Sequence, residues 1–194
     1  LFNESYRLSY YISEHVNKLD DIKNDIAREC LKLIPIEPPL HISTSADLPS
    51  SSGLGSSSSF AVGLLHALHT MKGEEISNGQ LAEEACHVEI NMLKKPIGKQ
   101  DQYSVAFGGL NFLKFEKNNR VSIDHIWAPK GGSEYLFKDL LLFWTGLQRN
   151  ADEILLEQKS NIDKRLQSLH DIKSLAYELK ETILNVNGST KEIG

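Results

Sequence analysis

Residues 47–60 read Asp47-Leu-Pro-Ser-Ser-Ser-Gly-Leu-Gly-Ser-Ser-Ser-Ser-Phe60, and the fold class turns on how this stretch is read. Just before it, Leu40–Ser45 alternates apolar and polar residues, the pattern of a half-buried strand. Just after it, Phe60, Leu64 and Leu68 share one face, which predicts a helix over Phe60–Met71, closed by Lys72–Gly73. Strand, Gly/Ser loop and helix in this order build an anion cradle. Gly53 and Gly55 let the backbone turn tightly and bring N–H groups close to a ligand. The helix adds its unpaired first N–H groups and the positive end of its dipole. Each such charge–dipole interaction is worth about 0.3–1 kcal/mol when exposed and up to about 2 when partly buried. The hydroxyls of Ser56 and Ser57 can donate to phosphate oxygens or ligate Mg²⁺. No Lys follows the glycines, so this is not a Walker A loop, and the spacing is not GxGxxG. The competing reading is a flexible Ser/Gly linker. Against it stand the loop's shortness, its direct strand and helix flanks, and a buried-type Leu54 between the glycines.

Working outward on the N-terminal side, Arg7–Ile12 reads as a strand. Leu19–Leu33 carries a helical stripe of Ile22, Ile26, Cys30 and Leu33, with Asp20 or Asp21 as its cap. Pro35, Pro38 and Pro39 stop it. On the C-terminal side, Ser77–Gln80 is a capping pattern for a second helix over Leu81–Leu93, which Pro96–Gly98 breaks. Gly108–Gly109 marks a turn, and Leu110–Phe115 with Val121–Ile126 reads as a hairpin. The dense apolar run Asp139–Trp144 predicts a buried strand. From Asn150 to Val186 apolar residues recur at helical steps, in one long helix or two. The mix predicts an α+β fold.

Phosphoryl transfer needs metal ligands and a group to receive the acceptor's proton. Glu89 lies on the second helix, within Ala82–Leu93, and Asp101 follows in Gly98-Lys-Gln-Asp101-Gln102. Taken singly, Glu89 reads as a surface residue like Glu83 and Glu84, and Asp101 as a helix N-cap. The joint order of phosphate loop, helix Glu and Gly-x-x-Asp-Gln is what points to chemistry. His87 reads as a helix-packing histidine, since no second His or Cys has metal-ligand spacing.

Pro49-x-x-x-Gly53-Leu54-Gly55-Ser56-Ser57 resembles the phosphate-binding signature of the GHMP kinases, although Ser58 and Ser59 stand where Ala is usual. Longer stretches, among them residues 45–68 and 96–115, look most like the heptose 7-phosphate kinase branch. The resemblance implies a GHMP-kinase-like α+β fold. Residues 1–130 would form a ribosomal S5 domain 2-like N-terminal ATP-binding domain, incomplete at its start. Residues 131–194 would begin a helical, ferredoxin-like C-terminal domain, cut short. It implies ATP and Mg²⁺ as cofactors, with Pro49, Ser51, Ser52, Gly53, Leu54, Gly55, Ser56, Ser57 and Ser58 around the nucleotide. Ser57 and Glu89 would hold the metal, and Asp101 would be the base. Thr145 and Arg149 would line the site; Lys99, beside Asp101, would meet a sugar phosphate as Arg149 does, or stand as a solvated lysine. The implied reaction phosphorylates the anomeric hydroxyl of D-glycero-D-manno-heptose 7-phosphate. The chain departs from the family in lacking its N-terminal strand–loop motif and its glycine-rich third motif, and both ends read as cut.

Composition sets outer limits. The 194 residues carry a net charge of −5, which argues against nucleic acid as a partner. No apolar run reaches the roughly 20 residues of a membrane span, and the first residues lack a signal-peptide pattern. Two distant cysteines, Cys30 and Cys86, read as reduced in a cytoplasmic protein. Three alternatives remain at this point: a fucose-, galactose- or mevalonate-type GHMP kinase, a non-catalytic GHMP-fold sugar sensor, and a nucleic-acid-binding module. A homodimer is compatible with each.

Overall fold

The computed structural model describes residues 4–47, 53–126, 137–138, 140–143, 146 and 151–185. Its residues fall into two compact units: one reaches to Ala106 and takes in residues 151–152, and the other starts at Phe107 and holds the remaining described residues.

In the first unit, β1 (Tyr6–Ser9) pairs antiparallel with β2 (Ser13–Val16) and parallel with β3 (Leu40–Ser43), in the order β2-β1-β3. The single strand expected over Arg7–Ile12 is instead cut at Ser9. Tyr10 N–H turns back to the Ile12 carbonyl at 2.9 Å, which leaves Tyr11 in solvent. Helix α1 (Asp25–Leu33) joins the hairpin to β3. Its cap is Asn24, whose side chain accepts from Ala27 N–H at 2.9 Å. Asp20 and Asp21, the expected caps, lie in a separate 3₁₀ turn, Leu19–Asp21.

Helix α2 (Ser56–Met71) starts directly after Gly55, four residues earlier than the apolar pattern alone predicts. Helix α3 (Asn78–Cys86) is capped by Ser77, as expected. It does not stay α-helical to Leu93: residues His87–Met92 widen into a π-helix. Helix α4 (Gln100–Phe107) follows the Pro96–Gly98 break. The core between these elements holds Leu8, Ile22, Leu31, Leu65, Leu68 and Val88, with both cysteines among them. Cys30 and Cys86 are free thiols, and burial pushes each pKa up to about 12.

In the second unit, β4 (Asn111–Phe115) and β5 (Val121–His125) form the expected antiparallel hairpin, Leu113 facing Ile123. The helical region resolves into two: α5 (Ala151–Ser160) and α6 (Leu166–Asn185), separated by a 3₁₀ turn. Phe112 packs against Tyr177 of α6, and Lys180 both covers the Phe112 ring and pairs with Asp124 at 2.7 Å. The buried strand expected over Asp139–Trp144 is not found at its described residues. Leu140–Phe143 have no strand pairing and are all more than half exposed. An apolar run becomes a buried strand only where neighbours pair with it, and the sheet here has two strands among the described residues. No described helix is long and apolar enough to cross a membrane.

Candidate active site

Two glycines shape the loop where it meets α2. Gly53 and Gly55 both take left-handed φ values, +78° and +71°, which L side chains rarely adopt. Gly55 is the N-cap position of α2, and no side chain caps the helix there. Among the described residues the N-cap position thus offers the first N–H groups of α2 no side-chain cap, the arrangement that suits an anion. Between the glycines, Leu54 is 48% exposed, which corrects the buried-type reading: the double left-handed turn lifts it off the core. Pro49, Ser51 and Ser52 lie outside the described residues.

In the first turn of α2, two hydroxyls point to a single carboxylate. Ser57 Oγ donates to Glu89 Oε1, and Ser58 Oγ donates to Glu89 Oε2 at 2.7 Å. Glu89 is fully buried, so the surface reading of this residue is set aside. Gln102 Nε2, from α4, donates to Glu89 Oε2 at 2.6 Å. Lys95 Nζ stands 3.3 Å from Glu89 Oε1 and 2.9 Å from Ser57 Oγ. A buried carboxylate without donors and a counter-charge costs several kcal/mol, about what isolation from water takes from an ion. Here three neutral donors and one ammonium supply both.

The π-helix explains how Lys95 gets there. Leu93 N–H reaches back five residues to the Val88 carbonyl, the π spacing. Lys94 then takes φ +57°, and Lys95 N–H closes on the Glu89 carbonyl at 3.0 Å. This reversal turns the Lys95 side chain onto the carboxylate of the residue that holds its backbone.

Asp101, in the first turn of α4, lies against Gly55. A Cβ placed on that glycine would stand 3.6 Å from Asp101 Cγ and 3.7 Å from Oδ2. Such distances are ordinary van der Waals contact, so it is the φ of Gly55, and not the space beside it, that calls for glycine. Burial first, and the Glu89 charge second, push the Asp101 carboxyl above the usual range. A carboxylate raised in this way is a better proton acceptor near neutral pH than an ordinary one.

Of the sequence-predicted site residues, the structure brings together Gly55, Ser57, Ser58, Glu89 and Asp101. Lys99 points elsewhere: its Nζ is 3.3 Å from both carboxylate oxygens of Glu83, which also accepts the Tyr103 hydroxyl. Thr145 and Arg149 lie outside the described residues. His87 is exposed, not packed, because it falls on the face opposite Val88 and Glu89. Lys95 and the role of Gln102 were missed. Glu89 itself carried a readable sign: it follows the buried Ala82 and Ala85 by seven and four residues, on the apolar face.

The donor set suits Mg²⁺. It offers one carboxylate and two hydroxyls, all hard oxygens, and Mg²⁺ is usually held by one or two carboxylates plus substrate phosphates. Gln102 Oε1 is buried beside this set with no partner among the described residues, an acceptor still to be satisfied. Among the described residues no cluster of three His, Cys, Asp or Glu offers a rival metal site.

The chain is similar to known proteins across this region. It is 32% identical over 178 residues to the D-glycero-alpha-D-manno-heptose 7-phosphate kinase of Campylobacter jejuni, a match covering 89% of this chain and 52% of that protein. It is 32% identical over 124 residues to the galactokinase of Pyrococcus furiosus, covering 63% of this chain and 34% of that one. The chain thus spans about half the length, or less, of these curated relatives. A solved D-glycero-D-manno-heptose 1-phosphate kinase from Bacteroides thetaiotaomicron shares the fold, with a TM-score of 0.72 at 21% identity over 95% of this chain and 58% of that chain. The profile of the GHMP kinases N terminal domain matches residues 17–109, which contain the glycine loop, Glu89, Lys95 and Asp101. It is through these residues that the chain carries a GHMP kinase N-terminal domain, at residues 17–109.

Proposed function

We propose that the protein is an ATP-dependent sugar kinase that passes the γ-phosphate to a hydroxyl of a sugar phosphate, with D-glycero-D-manno-heptose 7-phosphate, at its anomeric hydroxyl, as the acceptor. The single observation that carries this reading is the placement of Asp101 against Gly55, at the mouth of a helix whose Ser57 is joined to Glu89. The similarity to a heptose 7-phosphate kinase supports the choice of acceptor.

In this reading the N–H groups of the Gly53–Ser57 turn bind the nucleotide phosphates. Ser57 and Glu89 hold Mg²⁺, which when bound supplies positive charge against the phosphate oxygens. Asp101 orients the acceptor hydroxyl and takes its proton. The hydroxyl oxygen then forms a bond to the γ-phosphorus, while the bond to the bridging oxygen breaks and ADP leaves. Positioning and charge stabilisation provide most of the acceleration. Lys99 and Arg149 meet the phosphate that the acceptor already carries, and for Lys99 this means exchanging Glu83 for substrate. A galactose- or mevalonate-type acceptor is the second reading, favoured by the galactokinase match.

The test is ADP release by the protein with Mg²⁺, ATP and a panel of acceptors: heptose 7-phosphate, free heptose, galactose, fucose and mevalonate. Turnover on the heptose phosphate alone is the expected result. Turnover on galactose or mevalonate instead moves the assignment to the second reading. ADP release with none of them overturns the kinase reading and leaves a sugar sensor. Light scattering of the same sample distinguishes monomer from homodimer.

A further inference from the structure

The ammonium of Lys95 touches two atoms, Ser57 Oγ at 2.9 Å and Glu89 Oε1 at 3.3 Å. These are the same two oxygens on which the metal assignment rests. Lys95 also differs from the other partners of Glu89. Ser58 and Gln102 approach it at 2.7 and 2.6 Å, as firm hydrogen bonds do, whereas the ammonium stands off at 3.3 Å. The carboxylate is fully buried, while the lysine side chain keeps 20% of its surface in water. With Ser57, Ser58 and Gln102 in place, both carboxylate oxygens already accept hydrogen bonds without it. What Lys95 adds is charge. A positive charge on a flexible, partly solvated stem is one that can leave when another arrives.

We propose that Lys95 is a tethered counter-ion that neutralises the Ser57–Glu89 pair before metal binds, and that Mg²⁺ enters by displacing its ammonium. The inference rests on the metal assignment in the kinase reading and extends it to the metal-free protein. A divalent ion and an ammonium at the same oxygens repel each other, and close charge pairs of this kind couple strongly. Metal affinity is therefore set by competition as well as by the ligands. The backbone bond from Lys95 N–H to the Glu89 carbonyl keeps the lysine anchored when its side chain swings out, so it can return when the metal leaves.

Mn²⁺ suits the same oxygen ligands and reports its free concentration by electron paramagnetic resonance. The experiment titrates Mn²⁺ into nucleotide-free wild type, Lys95→Met, Lys95→Arg and Glu89→Gln, and repeats the series with Mg²⁺ by calorimetry. Lys95→Met is expected to bind Mn²⁺ about tenfold tighter than wild type, or more. Lys95→Arg, which keeps the charge, should bind like wild type, and Glu89→Gln should lose binding. In EDTA, Lys95→Met should melt below wild type, and added metal should restore it. Equal or weaker Mn²⁺ affinity in Lys95→Met overturns the proposal. So does an absence of Mn²⁺ binding in every form. Neither result touches the kinase reading, which wild-type turnover on the acceptor panel decides separately. If Lys95→Met does not fold, the double variant Glu89→Gln/Lys95→Met serves. It removes both charges together and should melt near wild type in EDTA, since loss of both partners of a buried pair is far milder than loss of one. A double variant as unstable as Lys95→Met overturns the counter-ion role.

Discussion

Replacing Asp101 by Asn removes a carboxylate that burial and the Glu89 charge both disfavour in the folded protein. The folded pKa lies above the ordinary 3.8. The protonated form thus contributes stability below 3.8, and this is lost as pH rises through the folded value. At neutral pH the ionised residue weakens the fold. Asp101→Asn is therefore expected to raise the melting temperature at pH 7, modestly, because solvent still reaches the group. The gain should vanish as pH falls towards 4, as a series of melting curves across that range will read. The same change should lower turnover by about 10²–10⁴-fold or more while sparing ADP binding, since it removes the proton acceptor and not the phosphate cradle. A variant that is more stable and inactive is the signature of a strained functional carboxylate. At this scale the sequence was legible where residue order carried information: loop, then Glu89, then Asp101. It was opaque where the fold reuses an ordinary residue. Lys94 and Lys95 look like any solvated basic pair, and only the left-handed turn at Lys94 tells them apart.

At the scale of elements, α2 and α3 are joined by a buried histidine. His69, 5% exposed, has Nδ1 2.7 Å from Glu74 and Nε2 2.7 Å from Glu84 of α3. Burial pulls its pKa down, but bonds to Glu84 and Glu74 outweigh this, so the folded value lies above the ordinary 6.5. The bond to His69 is the main cause of a lowered pKa at Glu74, whose ordinary value is 4.5. The histidine's contribution is complete below 6.5 and fades as pH rises through its folded value. That of Glu74 is complete above 4.5 and fades as pH falls through its own. The junction is thus strongest between about 4.5 and 6.5. Urea unfolding should show wild type losing stability above that window, with His69→Gln flattening the upper edge and costing about 1–3 kcal/mol at pH 6. The π-helix makes a second prediction at this scale. Deleting the exposed Asn91 should let residues 87–92 close to an ordinary α-helix and swing Lys95 by about 100° around the axis. Circular dichroism should be unchanged, and metal affinity should shift as it does in Lys95→Met. Periodicity located α3 but could not see the widening, because one extra residue in a turn leaves composition untouched.

Across the whole molecule, the α+β character and most elements up to β5 follow from local pattern, turn residues and caps, while β2 and α4 were not among the elements expected. Two kinds of feature do not. The β1–β3 pairing is parallel and joins residues more than thirty positions apart, which no local pattern encodes. Leu140–Phe143 has the composition of a core strand, but composition does not supply the neighbouring strands that would bury it. The two cysteines show the opposite case, a bland expectation with a use. Cys30 sits at 0% exposure on α1 and Cys86 at 2% on α3, one in each of two helices that flank the core. Only a thiolate reacts with a disulfide reagent, and pKa values near 12 leave almost none at pH 8. Ellman's reagent should therefore find no reactive thiol in the native protein and two in urea. A thiol that labels at once in buffer would contradict the burial described for it. Under native conditions the colour should develop no faster than the first unit opens. The protein thus carries its own stopwatch, with two hands on separate helices: hands that keep the same time mark opening as one piece, and hands that drift apart mark which helix lets go first.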